Sequence, residues 1–245
     1  MTWRSLKREP SRTVRRFTAP SISIGFRGEL MRDIAPDTHA ELMDQTYRHQ
    51  RLIYDLTRKY YLFGRDELLA ELAPTIGAHV LEVACGTGRN LQLASGKFPG
   101  CEFYGLDISS EMLSSAQEKL GKRAHLAQAD ACSFDGAALF GRAEFDRIFI
   151  SYGVSMIPDW EQALRQSFHH LAPGGSLHVV DFSDLERWPS WCRGLLHRWL
   201  GKFHVSPRHE LEEVLNQIAS DLGAQAQFRQ LYRGYAQYGV LRRPG

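Results

Sequence analysis

The stretch HVLEVACGTGRN, residues 79–90, joins an apolar run to a glycine-rich turn and then to the start of a helix. The apolar run, residues 80–83, carries one acid, Glu82, and the turn occupies residues 84–88. Glycines let a ligand approach the backbone closely, and free N–H groups at a helix start suit polar or anionic ligand groups. The stretch therefore predicts a strand, a tight turn and a helix that bind a nucleotide-like cofactor.

The glycine spacing excludes the dinucleotide fingerprint G-x-G-x-x-G. Counting from Gly86 and Gly88, the third glycine would fall on Leu91, and counting from Ala84 it would fall on Arg89. The pattern that fits is acid-x-(Gly/Ala)-x-Gly-x-Gly, which resembles that of the class I S-adenosylmethionine-dependent methyltransferases. The resemblance implies S-adenosylmethionine as the cofactor, its methionine end wrapped by Glu82, Ala84, Cys85, Gly86, Thr87, Gly88 and Asn90.

Length and composition indicate an ordinary globular protein. A chain of 245 residues with 43% hydrophobic residues can bury roughly 70–75% of its unfolded surface, which favours one domain plus extensions. Its four cysteines form no C-x-x-C pair and no cluster with histidine, which argues against a zinc site or a disulfide framework. No uncharged apolar run approaches the roughly 18 residues of a membrane span. We expect a protein of the reducing cytoplasm without a metal.

The first 36 residues differ from the rest in composition. Residues 1–32 hold eight Lys and Arg against two acids, which leaves a net charge of −4 for the remainder. The folded part therefore gives no case for nucleic-acid binding. Rich in Arg, Ser, Thr and Pro, residues 1–36 are typical of a disordered extension, or of a mis-assigned start before Met31.

A long amphipathic helix is predicted to begin at Thr38 and to run to about residue 73. Apolar and aromatic residues recur there at steps of three and four, so that one face is apolar. The helix either packs on the core or acts as a lid. In the methyltransferases that the chain resembles, an N-terminal helix with a Tyr-Asp pair closes over the cofactor, and Tyr54-Asp55 is such a pair. We assign residues 37–75 to this helical lid and residues 76–245 to the cofactor-binding domain.

Two acids are predicted to hold the nucleoside part of the cofactor. Asp107 ends the apolar run at 101–109, 19 residues beyond Gly88, an offset suited to an acid that accepts both ribose hydroxyls. Asp130 ends a third predicted strand at 124–134, and the resemblance implies that it takes the adenine amino group beside the N–H of Ala131. Ser109 or Ser110 is expected to cap the following helix. The neighbouring cofactor-site positions are Ile108, Met112 and Ser151.

The order of the remaining segments predicts an α/β doubly wound sheet with helices on both faces. A fourth strand is expected at residues 143–160, then a helix to Leu171, a turn at 171–175 and a fifth strand, SLHVVDF. A helix at 209–223 with a glycine stop and two final strand-like runs follow. The resemblance implies a Rossmann-like seven-stranded sheet, mostly parallel, whose last strand is antiparallel.

Three longer stretches narrow the resemblance. MDQTYRHQRLIYDLTRKYYLFGRD, ISYGVSMIPDW and LHVVDFSDLERWPSWCRGLLHRWLGKFHVSPR are similar to the bacterial betaine-lipid N-methyltransferases. Those enzymes convert diacylglyceryl homoserine to its trimethylated form, and the likeness runs from about Thr38 to Arg243. It implies a lipid substrate with an amino-acid headgroup. Ala84 departs from the commoner first glycine of the loop, a small-for-small change.

The chemistry of such a reaction suggests candidate residues that sequence alone does not separate. Alignment of amine nitrogen, methyl carbon and sulfur supplies much of the rate, and a base is optional. Catalytic candidates are Tyr54, Tyr152 and Ser151, with Asp159 nearby. A quaternary ammonium product is attracted by aromatic faces by roughly 0.5–2 kcal/mol. Substrate candidates are Tyr47, Tyr61, Trp160 and Ser155 around the headgroup, with Arg58, Lys59, Arg65 or Arg208 for its carboxylate.

A tryptophan-rich segment follows the fifth predicted strand. Read as a helix, residues 187–204 place an apolar stripe beside basic positions and contain no Asp or Glu. The pattern suits an interfacial helix within a 185–206 insertion, and a soluble core helix is its alternative. We expect reversible contact with the cytoplasmic face of the inner membrane through Trp188, Trp191, Trp199, Arg198 and Lys202.

Three other functions remain open at this point. A phosphatidylethanolamine N-methyltransferase and a quinone-type C-methyltransferase share the loop, the ribose acid and a lipid substrate. A cofactor-binding subunit without catalysis is a third. Measured methyl transfer to defined headgroups separates all of them.

Overall fold

The computed structural model describes residues 63–183, 185, 188–189, 194, 198 and 206–245, and these form one seven-stranded sheet with helices on both faces. The strands are β1 His79–Val83, β2 Glu102–Asp107, β3 His125–Gln128, β4 Phe145–Ser151, β5 Leu171–Phe182, β6 Gln225–Leu231 and β7 Ala236–Arg242. The helices are α1 Arg65–Leu72, α2 Arg89–Lys97, α3 Ser110–Leu120, α4 Gly136–Phe140, α5 Trp160–His169 and α6 Leu211–Leu222, with a 3-10 turn at Gly121–Arg123.

The strand order β3-β2-β1-β4-β5-β7-β6 confirms the predicted fold class. Strands β1 to β5 pair in parallel, whereas β7 is antiparallel to both β5 and β6. The chain moves outward from β1 to β3 and then returns to place β4 on the other side of β1. This reversal is a topological switch point, and open α/β sheets bind ligands in the crevice beyond the carboxyl ends of the strands there.

Two apolar layers hold the sheet between its helices. On one face Leu68, Leu91 and Ala116, from α1, α2 and α3, pack on the sheet. On the other face α5 and α6 pack on it, and β1 and β4 are buried on both sides. Strands covered on both faces read as nearly continuous apolar runs, which is why the run at 80–83 was recognisable from sequence.

The single long helix predicted from Thr38 to about residue 73 is wrong at its carboxyl end. Phe63 and Gly64 form a turn, and helix α1 starts only at Arg65. Gly64 has φ 93°, a left-handed conformation that ends regular α-helix geometry. Residues 1–62, which include the extension and Tyr47, Tyr54, Arg58, Lys59 and Tyr61, lie outside the described residues, and so their predicted roles stay predictions.

Several strand bounds also differ from the predictions. Strand β3 ends at Gln128, so Asp130 lies in the following turn rather than on the strand. Strand β4 stops at Ser151 because Tyr152 turns the chain with φ 57°. Strand β5 starts at Leu171, so it includes the residues 171–175 that were predicted to form a turn. These residues form an irregularity in the pairing with β4, in which the paired residues change from Phe145–Leu171 to Arg147–Ser176.

Candidate functional site

A cavity of about 330 Å³ opens at the switch point, beyond the carboxyl ends of β1, β2 and β4. This is within the usual size range of small-molecule sites, roughly 300–1,000 Å³. Its wall is mostly apolar, with carboxylates at three places. The lining residues are Ala84, Gly86, Leu106, Asp107, Ile108, Met112, Ala129, Asp130, Ala131, Cys132, Tyr152, Gly153, Met156, Ile157, Pro158 and Asp159.

Asp107 joins the glycine turn to the end of β2. Its Oδ2 accepts the N–H of Gly86 at 2.8 Å and its Oδ1 accepts the N–H of Ser109 at 3.0 Å. The Ser109 side chain in turn accepts the N–H of Met112 at 3.3 Å, which confirms it as the N-cap of α3. Asp107 thus holds the loop in place, and it also lines the cavity.

The turn after β1 depends on left-handed backbone at three positions, Ala84, Gly86 and Gly88, with φ 57°, 53° and 71°. At Gly88 an added Cβ would lie 2.7 Å from Leu120 Cδ1 and 3.0 Å from Ala116 Cβ, so this glycine also lets α2 approach α3. Ala84 and Gly153 both line the cavity and lie against each other. A Cβ added at position 153 would be only 3.0 Å from the methyl group of Ala84. Small residues at these positions keep the floor of the cavity open.

The other predicted residues of this turn stabilise it without lining the cavity. Asn90 Nδ2 donates to Glu82 Oε1 at 2.7 Å, tying the first turn of α2 to β1. Lys119 Nζ donates to the Thr87 hydroxyl at 3.2 Å. None of Glu82, Cys85, Thr87, Gly88 and Asn90 is among the lining residues of the cavity.

Asp130, Ala131 and Cys132 form the turn after β3 on the opposite wall. Asp130 Oδ1 accepts the N–H of Cys132 at 2.8 Å. Burial, followed by the negative charge of Asp130, raises the pKa of the Cys132 thiol to about 12. A thiol that stays protonated at neutral pH is a poor nucleophile, so Cys132 is a lining residue and not a reactive one.

Tyr152 follows β4 and brings an aromatic ring to the cavity. It is buried, and its hydroxyl donates to the carbonyl of Phe63, ahead of α1. Burial, followed by the charge of Asp181, raises its pKa well above the usual value. The phenol therefore stays neutral and does not act as a base at neutral pH. Ser151 and Ser155 are buried next to it, their hydroxyls make no hydrogen bond, and neither lines the cavity.

The loop between β4 and α5 is held by residues far away in the chain. The N–H of Ser155 donates to the buried Asp181 at 3.0 Å. Arg208 donates to the carbonyls of Val154 at 3.2 Å and Ile157 at 2.8 Å. The Arg208 guanidinium also lies 5.8 Å from the Trp160 ring. Arg208 thus braces the loop that carries Met156, Ile157 and Pro158 to the cavity.

The structure does not bring every substrate candidate to the cavity. Trp160 is 7% exposed, belongs to the core under α5 and is not a lining residue, which removes it from a cation cage there. Arg65 is buried at the start of α1, and its positive charge is close enough to lower the pKa of Tyr152 slightly against the larger opposing effects. Sequence reasoning missed Cys132, Gly153, Met156, Ile157 and Pro158. The run IPDW, a proline before the N-cap Asp159, was a signal for Ile157 and Pro158, and nothing in the sequence singled out Cys132.

The described lining of the cavity is acidic. It contains Asp107, Asp130 and Asp159 and no Lys, Arg or His. Because carboxylates lower the energy of a nearby cation, the cavity favours a positively charged ligand over a negatively charged one. Within the same described part of the chain, no group of three His, Cys, Asp or Glu could hold a metal ion.

The predicted interfacial segment is described at only a few positions. Trp188 is 41% exposed and Arg198 is exposed, whereas Trp191, Trp199 and Lys202 lie outside the described residues. In the described part of the chain no helix is both long and apolar enough to span a membrane.

The known proteins that the chain matches in sequence are methyltransferases. Residues 80–175 match the family described as "Methyltransferase domain". The chain is 31% identical over 156 residues to the demethylmenaquinone methyltransferase of Thermus thermophilus, covering 59% of this chain and 66% of that protein. It is 33% identical over 124 residues to the trans-aconitate 2-methyltransferase of Paracidovorax citrulli, covering 51% and 46%. The chain thus spans less than two thirds of these relatives.

Solved structures of similar fold include phosphoethanolamine N-methyltransferase 2 of Haemonchus contortus with S-adenosyl-L-methionine. The TM-score is 0.60 at 18% identity, covering 74% of this chain and 52% of that one. A chain of the "complex between the Haloferax volcanii Trm112 methyltransferase activator and the putative methyltransferase" gives a TM-score of 0.65 at 13% identity, covering 82% of this chain and 97% of that one. At these identities the likeness concerns the fold.

Proposed function

We propose that this chain, which contains a class I S-adenosylmethionine-dependent methyltransferase domain, methylates the headgroup amine of a lipid, diacylglyceryl homoserine, to the trimethylated betaine lipid. The acidic lining of the cavity is the observation that carries the proposal. Asp107, Asp130 and Asp159 stand without a basic residue among the described lining residues. Such a wall favours a sulfonium cofactor, and it equally favours an amine that gains positive charge as it is methylated.

The residues of the cavity fit the cofactor well. Asp107 lines the cavity at the end of β2, where a carboxylate suits a vicinal diol. Ile108, Met112 and Ile157 offer apolar surface for a flat base, and Asp130 lies beside them. The left-handed turn at Ala84 and Gly86 leaves room for the amino-acid end. When bound, S-adenosylmethionine supplies the methyl group.

On the acceptor side the requirement is orientation rather than base catalysis. A neutral amine can attack a methyl group directly and release its proton to solvent afterwards. Tyr152 remains a neutral phenol because burial raises its pKa, and it offers a ring face while its hydroxyl donates to the carbonyl of Phe63. For the homoserine carboxylate, the described candidates Arg65 and Arg208 both lie outside the cavity lining, and Arg208 is engaged with two carbonyls.

Quinone-type C-methylation is the second candidate, because several of the matched proteins at 30–31% identity are demethylmenaquinone methyltransferases. That reaction requires an electron-rich ring, which a phenol becomes on losing its proton. The described lining offers no Lys, Arg or His that could stabilise a phenolate or act as its base. The charge of the cavity therefore favours the amine acceptor.

An acceptor panel tests the choice. The purified protein is incubated with S-adenosylmethionine and, in separate detergent mixtures, with diacylglyceryl homoserine, phosphatidylethanolamine or demethylmenaquinol. S-adenosylhomocysteine formation and product mass are measured, and Asp107→Ala serves as the inactive control. We expect successive mass gains of one, two and three methyl groups on the homoserine lipid. Methylation of demethylmenaquinol with none on either amine lipid would overturn the proposal in favour of the second candidate.

A further inference from the structure

All of the exposed Phe, Tyr and Trp side chains among the described residues lie together. Phe63, Trp188 and Tyr232 are 49%, 41% and 43% exposed. With the exposed Arg233 we call them the aromatic patch. We propose that the aromatic patch is the surface by which this protein docks on an anionic lipid bilayer. The inference rests on the proposed function in that a diacyl acceptor stays in the bilayer, and it adds the place of contact.

The aromatic patch is built from three separate parts of the chain that are locked together. The rings of Phe63 and Tyr232 are 5.5 Å apart. The indole Nε1 of Trp188 donates to the carbonyl of Tyr232 at 3.2 Å. Leu185, just before Trp188, is buried and its N–H donates to the carbonyl of Gly234 at 2.7 Å. Exposed rings fixed in this way present their faces at little further cost in conformational entropy.

The turn between β6 and β7 holds its two outermost residues in an unfavourable backbone conformation. Tyr232 and Arg233 have φ 51° and 59°, and the N–H of Gly234 donates to the carbonyl of Leu231 at 3.0 Å. The loop between the two strands has four residues, 232–235, and a turn with positive φ at both central positions normally takes Gly, Asn or Asp there. Left-handed non-glycine residues cost about 1–3 kcal/mol each and cluster at functional sites. Here the turn places a ring and a cation at the surface instead of small turn residues.

A row of aromatic rings connects the aromatic patch with the cavity. Phe63 is 5.2 Å from Tyr235, Tyr235 is 6.1 Å from Phe182, and Phe182 is 4.6 Å from Tyr152 on the cavity wall. The carbonyl of Phe63 also accepts the hydroxyl of Tyr152. The surface that would touch the bilayer is therefore held rigidly next to the acceptor side of the cavity, the arrangement that a membrane-bound substrate requires.

The exposed Arg233 and the basic sequence that follows Trp188 are the argument for an anionic bilayer as the occupant of the aromatic patch. Arg233 and Arg198 are exposed, and the sequence from 187 to 204 contains four Lys and Arg and no acid. The acids nearby are Asp66 and Glu67 at the start of α1, and, after burial, their negative charges help to raise the pKa of Tyr232. Aromatic rings at headgroup depth with basic side chains around them are typical of proteins that lie on membranes.

Vesicle flotation with the whole chain tests the proposal. Vesicles of phosphatidylcholine alone are compared with vesicles that also contain phosphatidylglycerol, at low and high salt. The test variant is Trp188→Ser with Tyr232→Asn, because asparagine tolerates the left-handed conformation and keeps the turn. Ile76→Ser is the matched control, an apolar side chain that is 90% exposed outside the aromatic patch. Arg233→Asn removes the charge alone.

We expect the wild type and Ile76→Ser to float with anionic vesicles and less so in high salt. The double variant should bind at least roughly tenfold more weakly, which is about 1.4 kcal/mol, and Arg233→Asn should lose mainly the preference for phosphatidylglycerol. Equal flotation of the wild type and the double variant, or no flotation of either, would overturn the proposal. So would a dimer in solution that the double variant alone dissociates, because the aromatic patch would then be a self-association surface.

Failure here is separable from failure of the proposed function. Methylation of diacylglyceryl homoserine in detergent needs no bilayer. If it proceeds while vesicle binding is absent, only the docking surface is wrong. If vesicles are bound through the aromatic patch while no amine lipid is methylated, only the acceptor is wrong.

Discussion

Replacing Asp107 by alanine should weaken S-adenosylmethionine binding more than the loss of any other single acid. Asp107 is 9% exposed, lines the cavity, and would accept two ribose hydroxyls with an ionised carboxylate. Charged hydrogen bonds contribute about 1.5–3 kcal/mol each, and part of this is lost to desolvation, so we expect a net loss of about 2–4 kcal/mol. That is a rise of roughly 30- to 700-fold in Kd, which isothermal titration calorimetry measures directly.

The same substitution also removes two backbone hydrogen bonds, from Gly86 and Ser109, and a control must account for this. Replacement of Asp135 is a suitable control. Asp135 also accepts two backbone N–H groups, of Ala137 at 2.9 Å and Ala138 at 3.2 Å, but it does not line the cavity. Asp135→Ala should lower the thermal midpoint and leave the cofactor Kd unchanged. A folded Asp107→Ala protein with the wild-type Kd would refute the ribose assignment.

Three further outcomes are expected. Tyr152→Phe should retain cofactor binding and lower kcat by less than roughly tenfold, since a phenol of raised pKa is no base; a greater loss with an unchanged Kd would give the hydroxyl a chemical role. His178, buried with its pKa lowered to about 3 chiefly by burial, is neutral when folded but titrates near pH 6.5 when unfolded. Stability should therefore decline as pH falls from 6.5 toward 3, by up to about 1.4 kcal/mol per pH unit, and chemical denaturation of His178→Leu should lack this part of the slope. Gly88→Ala should cost about 1–3 kcal/mol of unfolding free energy, because its Cβ would lie 2.7 Å from Leu120; an unchanged denaturation midpoint would contradict the tight packing of α2 on α3.

Local spacing predicted the parts of the site that neighbouring residues determine. The strand, turn and helix at 79–90 and the acid at the end of β2 could be placed because glycine spacing and strand alternation are short-range signals. The hydrogen bond from Gly86 to Asp107 joins residues 21 positions apart, and that from Arg208 to Val154 joins residues 54 apart. Such contacts depend on the folded sheet and leave no periodic pattern.

The wrong helix boundary at Gly64 and the wrong site assignment of Trp160 have the same origin. Gly64 sits inside a stretch with helical periodicity, and apolar spacing alone does not show that its φ is 93°. Trp160 was read as a site residue because it follows the run that ends β4, yet the first turn of α5 directs it into the core. In both cases tertiary packing, and not local preference, decided the outcome.

The close contact between Ala84 and Gly153 restricts which residues can occupy these positions in related proteins. A side chain at 153 would meet Ala84 Cβ at 3.0 Å and Ile150 Cγ2 at 2.9 Å. A relative with glycine at position 84 would gain room on one side only, so a larger residue at 153 would also require a smaller one at 150. We therefore expect positions 84, 150 and 153 to vary together in an alignment, as one shared volume rather than as three independent sites.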